Sequence, residues 1–145
     1  MKRIIIFDFN RTLYDPDSKA LIPNAHKILK YSRVKGFELY LITRAEGFRK
    51  ELLDNLGIKH YFREVIFTND KKKKDFQKIL QKKDVEVRSS FVVGDRAWKE
   101  IAIGNSLGFK TIWVKRGKFQ NELPRKAQEY PTHMVEELRE IISLI

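Results

Sequence analysis

The stretch Arg3-Ile4-Ile5-Ile6-Phe7-Asp8-Phe9 decides the fold of this chain. Its residues 4–7 are β-branched or aromatic and show no polar alternation, which is typical of a strand buried on both faces of a parallel sheet. Asp8 interrupts the apolar run at once, so the run is too short for a signal-peptide core or a membrane span. The sequence therefore predicts a central strand that ends in a carboxylate.

Strand-like and helix-like segments alternate along the rest of the chain. Apolar runs that predict further strands occupy residues 37–42, 65–67, 91–93 and 111–114. Amphipathic segments that predict helices occupy residues 23–35, 44–56, 75–83, 98–107 and 133–144. This alternation implies right-handed crossovers and a parallel sheet that is covered by helices on both faces. We therefore expect a three-layer α/β/α, Rossmann-like fold with a five-stranded, mainly parallel sheet.

The composition limits the classes of protein that the chain can represent. Its 145 residues match the length of one domain, and 42% of them are hydrophobic, which is enough for a globular core. The chain contains no cysteine, which excludes a disulfide framework, a thiol nucleophile and a cysteine-ligated metal, and favours a reducing, cytoplasmic location. Thirty lysines and arginines against 19 acidic residues give a net charge of +11, which attracts polyanions such as phosphate esters or nucleic acid.

Polar residues follow the predicted strands at the edge where parallel sheets bind ligands, beyond the carboxyl ends of the strands. They are Asp8, Asn10, Thr43, Arg44, the lysines at 71–74, Gly94 and Asp95. A carboxylate can attack phosphorus, a second carboxylate can share a magnesium ion with it, and a hydroxyl and an ammonium group can hold the remaining phosphate oxygens. These residue types at this edge therefore indicate phosphoryl transfer.

Four segments of the chain, in order, resemble the motifs of the haloacid dehalogenase-like (HAD) superfamily. They are Asp8-Phe9-Asn10-Arg11-Thr12-Leu13, Leu41-Ile42-Thr43, the lysines before Phe76, and Val92-Val93-Gly94-Asp95-Arg96-Ala97-Trp98-Lys99-Glu100-Ile101. The resemblance covers most of the chain and points to the capless, magnesium-dependent phosphatases of this superfamily. It implies the strand order 5-4-1-2-3, with strands numbered along the chain, and one core domain over residues 1–145 without a large cap insertion.

The resemblance also implies a role for each matched residue. Asp8 is expected to be the nucleophile that forms an aspartyl-phosphate, and Thr43 is expected to bind a phosphate oxygen, with Arg44 as a further substrate-binding candidate. The expected ligands of Mg²⁺ are Asp8, the main-chain carbonyl of Asn10, Asp95 and Glu100. The motif-three lysine is expected among residues 71–74, where the spacing Lys72-x-x-x-Phe76 favours Lys72 as the catalytic lysine, with Lys73 as the alternate and a further substrate-binding candidate.

Asn10 departs from the motif of the family phosphatases, D-x-D-x-[TV]-[LV]. The second aspartate of that motif protonates the leaving oxygen and helps to activate the hydrolytic water, and an amide can do neither. Because such assistance is typically worth about 10²–10⁴ in rate, we expect a slow phosphatase that acts on a phosphomonoester. Two alternatives stay open: a phosphoryl-transfer protein with a long-lived aspartyl-phosphate, and a non-catalytic member of the fold that binds phosphate or nucleic acid.

The connections after motif one and motif two, residues 13–36 and 43–71, have no room for a large cap, so an open site is expected. An open site receives a macromolecular phosphate or is closed by another subunit, and the positive charge suits a polyanionic substrate. The expected partner is therefore a phosphorylated substrate, small or macromolecular. Nucleic acid and an oligomeric partner stay open, and no membrane partner is expected.

Several of these residues also have purely structural explanations. Thr43 is a good N-cap for a following helix, and an acid such as Glu100 near a helix start favours the helix dipole. A run of lysines is usually a solvated surface, and only one of residues 71–74 needs to reach a phosphate. Basic residues flank the fifth predicted strand and either guide an anionic substrate or nucleic acid or form an exposed loop. They are Lys110, Lys115, Arg116, Lys118, Arg125 and Lys126.

Overall fold

The computed structural model describes residues 1–82 and 84–145. Its main sheet contains six parallel strands: β1 (Ile4–Phe7), β4 (Glu38–Arg44), β5 (Glu64–Thr68), β6 (Phe91–Gly94), β7 (Lys110–Val114) and β8 (His133–Val135). The strand order is β5-β4-β1-β6-β7-β8. The predicted parallel α/β fold and the order of its five predicted strands are confirmed. The predicted number of strands is wrong, because β8 adds a sixth strand beside β7.

The central strand β1 separates two apolar layers. Ile5 and Phe7 point to the cluster that contains Ile28 and Leu29 of the first helix, α1 (Ala25–Val34). Ile4 and Ile6 point to the opposite cluster, which contains Phe76 and Ile79 of α3 (Lys73–Lys82). Because successive side chains of a strand point to opposite faces, the continuous apolar run buries both faces of the sheet.

The α-helices among residues 1–82 and 84–145 match four of the five predicted segments in position but differ from them at their ends. The helix α2 (Arg49–Leu56) begins five residues later than predicted, because β4 continues through Arg44 and pairs with β5 up to that residue. The predicted end of α3 at Lys83 lies outside the described residues. The segment predicted as a helix over 98–107 consists of a π-helical turn, Ala97–Ile101, followed by α4 (Ala102–Ser106). No helix among the residues in 1–82 and 84–145 has the length and apolar character that a membrane crossing requires.

The prediction of a helix over residues 133–144 is wrong. This segment forms β8, which pairs with β7, and then a 3₁₀ helix, Leu138–Ser143. Its buried positions are Val135, Leu138 and Ile141, which recur at intervals of three residues. That interval fits a 3₁₀ helix, with three residues per turn, and it resembles the 3.6-residue period of an α-helix over so short a stretch.

The connections at the carboxyl edge of the sheet are short. Between β1 and β4 the chain forms a small antiparallel hairpin, β2 (Tyr14–Asp15) and β3 (Ala20–Leu21), followed by α1. Between β4 and β5 it forms α2 and one 3₁₀ turn, Lys59–Tyr61. All residues of these two connections are described, and none of them forms a further domain over the edge of the sheet.

Candidate active site

Three buried acidic residues meet at the carboxyl edge of the sheet. Asp8 follows β1 and Asp95 follows β6, and since these two strands are paired neighbours, the two side chains lie side by side. One carboxylate oxygen from each of Asp8, Asp95 and Glu100 lies within 4.8 Å of the others. The predicted juxtaposition of these acids is therefore present in the structure.

Glu100 reaches the cluster from the π-helical turn that follows β6. Gly94 allows this approach, because a Cβ atom at that position would lie 2.8 Å from the Cβ of Glu100. Glu100 is buried, and its Oε2 atom has no hydrogen-bond partner among the described residues. A buried carboxylate oxygen without a donor is costly, which favours occupation of the neighbouring space by a cation.

Lys71 supplies the cation nearest to these acids. Its Nζ donates hydrogen bonds to Asp8 Oδ1 and, at 3.2 Å, to Glu100 Oε1. Lys71 is 7% exposed, whereas Lys72 and Lys73 are exposed at the surface. The structure thus brings Lys71 to the acidic cluster, and not the expected Lys72 or its alternate Lys73.

The start of α3 explains this shift of one residue. The Asp75 carboxylate accepts a hydrogen bond from the backbone N–H of Lys72 at 2.8 Å. An acid at the third helical position that binds the N–H of the residue before the helix is one half of a capping box, so Lys72 occupies the cap. Lys71 therefore ends the loop that leaves β5 at the sheet edge. The acid three residues after Lys72 was the sequence signal that could have indicated this.

The loop after β1 turns sharply beside the cluster. Arg11 has a left-handed backbone conformation, with φ 60°, which is uncommon for a residue other than glycine. Its Nε donates a hydrogen bond to Asp95 Oδ2 at 3.1 Å, and Thr12 Oγ1 donates one to Asp8 Oδ2 at 3.3 Å. Asn10 is partly buried and lines the same cleft. Asp8 and Asn10, the two polar residues expected after the first strand, therefore both lie at the site.

Thr43 lies in β4, the other neighbour of β1, and is buried at the edge of the cleft. Arg49 donates a hydrogen bond to Thr43 Oγ1 and forms an ion pair with Glu46 at 3.1 Å. The Arg49 guanidinium lies over the ring of Phe9, 4.6 Å from its centroid. Arg49 was missed in the sequence because an arginine in the first turn of a helix normally points to solvent.

A cleft of about 140 Å³ opens above the acidic cluster, and many of its lining residues are basic. These basic residues are Arg11, Arg44, Lys71, Arg96, Lys99 and Lys118. Two of them are neutralised at the rim: Arg96 forms an ion pair with Glu122 at 2.8 Å, and Lys99 forms one with Asp70 at 2.8 Å. The site therefore combines a buried negative centre with a positive rim.

The basic segment around β7 contributes unequally to this rim. Lys118 lines the cleft beside Phe119, whose ring lies 4.0 Å from the Arg96 guanidinium. Arg125 instead pairs with the buried Glu129 at 2.9 Å and lies 3.9 Å over the ring of Trp98. Part of the segment therefore faces the site, and part of it holds the loop in place.

The electrostatic environment opposes ionisation of Asp95. Burial, reinforced by the negative charge of Glu100, raises the pKa of Asp95 from 3.8 to about 7, while Arg11 and Lys71 oppose this rise. A divalent cation would remove the conflict, because three carboxylates within reach of one another are the hard oxygen ligands that Mg²⁺ prefers. Asp8, Asp95 and Glu100 therefore fit a divalent metal ion.

Known proteins share this fold. Residues 72–141 match the family model described as HAD-hydrolase-like. The crystal structure of an uncharacterized protein from Listeria monocytogenes serotype 4b matches 98% of this chain and 96% of its own, with a TM-score of 0.80 and 20% sequence identity. The match to the family model and the shared fold support a relation of this chain to the HAD-like hydrolase superfamily.

Two further proteins relate this chain to larger ones. The HAD-hydrolase YfnB from Bacillus subtilis, solved bound to magnesium, matches 86% of this chain and 55% of its own, with a TM-score of 0.70 and 18% identity. Glyceraldehyde 3-phosphate phosphatase from Methanopyrus kandleri is 29% identical over 129 residues, which cover 85% of this chain and 55% of that protein. The chain thus spans about half the length of this relative.

Proposed function

We propose that the chain is a phosphatase core that cleaves a phosphomonoester through an aspartyl-phosphate on Asp8, with Mg²⁺ as its cofactor. The observation that carries this proposal is the convergence of Asp8, Asp95, Glu100 and Lys71 in one buried cluster. Burying so many charges costs free energy, and such groups concentrate where they perform chemistry. The reaction class is also that of the relative from Methanopyrus kandleri, as its name states.

Asp8 has the properties that a nucleophilic carboxylate needs. Hydrogen bonds from Lys71 and Thr12 reach its two oxygens and hold the carboxylate in place. In the proposed reaction, a carboxylate oxygen of Asp8 attacks phosphorus, and the bond between phosphorus and the leaving oxygen breaks. Water then hydrolyses the acyl phosphate and restores the carboxylate.

Thr43 and Lys71 are suited to hold the phosphate oxygens. The Arg49 side chain has only donors, so Thr43 Oγ1 accepts the hydrogen bond between them. The Thr43 hydroxyl hydrogen is therefore available to a phosphate oxygen in the cleft. Lys71, which contacts Asp8, carries its positive charge to the place where a transferred phosphoryl group would lie.

Asp8, Asp95 and Glu100 would hold Mg²⁺, with the main-chain carbonyl of Asn10 as a further ligand suggested by the family resemblance. The bound ion would supply positive charge against the phosphate oxygens. Glu100 Oε2 supports this assignment, because it is a buried carboxylate oxygen that accepts no hydrogen bond from the described residues and is therefore available to a metal ion.

Asn10 determines which substrates react readily. Its amide can donate a hydrogen bond to the leaving oxygen but cannot transfer a proton to it. Aryl and acyl phosphates, whose leaving groups need little protonation, should therefore react faster than alkyl phosphates. The short connections after β1 and β4 support a capless core in which this site is open to the substrate.

The proposal is tested by hydrolysis of p-nitrophenyl phosphate with and without Mg²⁺. We expect turnover that depends on Mg²⁺ and falls at least about 10³-fold in Asp8→Asn. Asp54→Asn is the matched control, because Asp54 is an exposed residue of α2 outside the site. Turnover that survives Asp8→Asn would contradict the proposal, and a wild-type protein that binds phosphate without turnover would favour the non-catalytic alternative.

A further inference from the structure

We propose that the substrate carries a second anionic group, a carboxylate or another phosphate, a few bonds away from the phosphate that is cleaved, and that Arg44 and Lys118 bind this group. This inference rests on the proposed function and adds to it the chemical class of the substrate. It follows from the distribution of charge around the cleft.

The cations of the cleft fall into two sets. Four of them have acidic partners: Lys71 contacts Asp8 and Glu100, Arg11 contacts Asp95, Arg96 contacts Glu122 and Lys99 contacts Asp70. Arg44 and Lys118 form no ion pair with any residue in 1–82 and 84–145. A phosphate dianion and a divalent cation carry opposite charges of equal size, so binding both leaves Arg44 and Lys118 without an ion-pair partner among the described residues.

The two cations flank the acidic centre from opposite sides. Arg44 ends β4, which pairs with β1, and Lys118 follows β7, which pairs with β6. Adjacent strands lie about 4.8 Å apart, so each cation is one strand away from an acid of the centre. Both side chains line the same cleft as Asp8, so an anionic group that extends a few bonds from a phosphate at Asp8 would lie between Arg44 and Lys118.

The turn that carries Lys118 is held against the site. Gly117 has φ 78°, and a Cβ atom there would lie 3.2 Å from the Cγ of Arg11, so the turn packs closely on that side chain. The ring of Phe119 is then flanked by Arg11 at 5.1 Å, Arg96 at 4.0 Å and Lys118 at 5.2 Å. Arg11 and Arg96 have acidic partners, so Lys118 is the cation at this ring whose charge an anion in the cleft would balance.

The test compares kcat/KM for substrates that share a primary alkyl leaving group. At constant ionic strength and with Mg²⁺, release of inorganic phosphate is measured from 3-phosphoglycerate, glycerol 1,3-bisphosphate and glycerol 3-phosphate, with p-nitrophenyl phosphate as the reference. We expect at least one of the first two to exceed glycerol 3-phosphate by about tenfold, the effect of one charge-assisted hydrogen bond. A preference for 3-phosphoglycerate alone identifies a carboxylate, and a preference for the bisphosphate alone identifies a second phosphate.

Variants connect this preference to the two rim cations. The ratio to follow is kcat/KM for the preferred substrate with two anionic groups divided by kcat/KM for glycerol 3-phosphate. Lys118→Gln and Arg44→Gln are each expected to lower this ratio severalfold. Lys30→Gln removes the same charge from the exposed face of α1 and should leave the ratio unchanged, which separates local binding from net charge. A ratio that both rim variants leave unchanged would overturn the assignment.

The outcomes distinguish this inference from the proposed function. Equal kcat/KM values for the three alkyl phosphates, with Mg²⁺-dependent hydrolysis of p-nitrophenyl phosphate retained, would overturn the inference alone. No turnover of any of the four substrates would overturn both.

Discussion

The two ends of the same sheet carry the same kind of ion pair in different surroundings. At the amino end, Lys2 and Arg63 contact Glu38 at 2.9 and 3.8 Å, and the two basic side chains are 57% and 63% exposed. At the carboxyl end, Lys71 contacts Asp8 and Glu100 with all three side chains 6–7% exposed. Exposed pairs are worth about 0–1 kcal/mol, whereas buried pairs must also offset a large desolvation cost. Of the two ends, the carboxyl end therefore concentrates charge at a cost to stability among the described residues.

The largest expected effect is that of removing the Lys71 cation from the carboxyl end of the sheet. Lys71→Met leaves Asp8 and Glu100 together without their counter-charge, so we expect turnover of p-nitrophenyl phosphate to fall about 10²-fold or more. Breaking a buried pair typically costs about 3–5 kcal/mol, which urea unfolding at pH 7 would detect. Lys72→Met, in the adjacent exposed residue, is the matched control. Equal effects of the two substitutions would refute the assignment of Lys71 to the site.

The next effect concerns the Asn10 amide at the carboxyl end of the sheet. Asn10→Asp supplies the missing acid–base group, and we expect the hydrolysis of an alkyl phosphate to rise about 10²-fold. Because a protonated leaving group needs less intrinsic stability, the dependence of rate on the leaving-group pKa should be steeper in the wild type than in the variant. Rates for a series of aryl and alkyl phosphates measure this slope. Parallel slopes would mean that residue 10 does not act on the leaving oxygen.

A third effect depends on pH and distinguishes the two ends without any substitution. The pKa of Asp95 is about 7 in the folded protein against 3.8 for an unperturbed side chain, so between these values the folded state binds the extra proton. The free energy of unfolding of the metal-free protein should therefore fall as pH rises from about 4 to 7. Since the metal needs the ionised carboxylate, Mg²⁺ affinity should rise up to about tenfold per pH unit over the same window. Calorimetric titrations at pH 5.5, 6.5 and 7.5 test this, and an affinity independent of pH would contradict it.

The smallest effect is expected at the amino end. Lys2→Met removes one exposed partner of Glu38, and the free energy of unfolding should change by less than about 0.5 kcal/mol. Turnover should match that of the wild type. A loss of unfolding free energy as large as that of Lys71→Met would contradict the distinction between the two ends of the sheet.

The acidic centre could be predicted from the sequence, because its position depends on where strands end. The apolar runs before Asp8 and Asp95 define neighbouring strands, and the helical turn after Asp95 carries Glu100 back to the same edge. The sequence could not show equally well that Lys71, and not Lys72, reaches the acidic cluster, since this depends on the residue at which α3 begins. Helix ends are set by local caps such as the one between Lys72 and Asp75.

Contacts between distant loops could not be predicted at all. Lys118 and Phe119 reach the site because the turn after β7 packs on Arg11, more than 100 residues earlier in the chain, and no local pattern encodes such a contact. The error over residues 133–144 has another origin. An interval of three residues between buried positions fits both helix types over a few residues, and the pairing with β7 selects the strand and the 3₁₀ helix.

The central place of β1 in the sheet has a consequence for how the protein is made. Ile5 pairs with Leu39 on one side and with Phe91 on the other, so β1 leaves the ribosome long before one of its two partner strands is synthesised. Such long sequence separations slow folding and leave a strand edge exposed in the meantime. A nascent chain that stops before residue 91 lacks β6, so one edge of β1 would stay unpaired and prone to aggregate until Asp95 and Glu100 are made and the acidic centre can assemble.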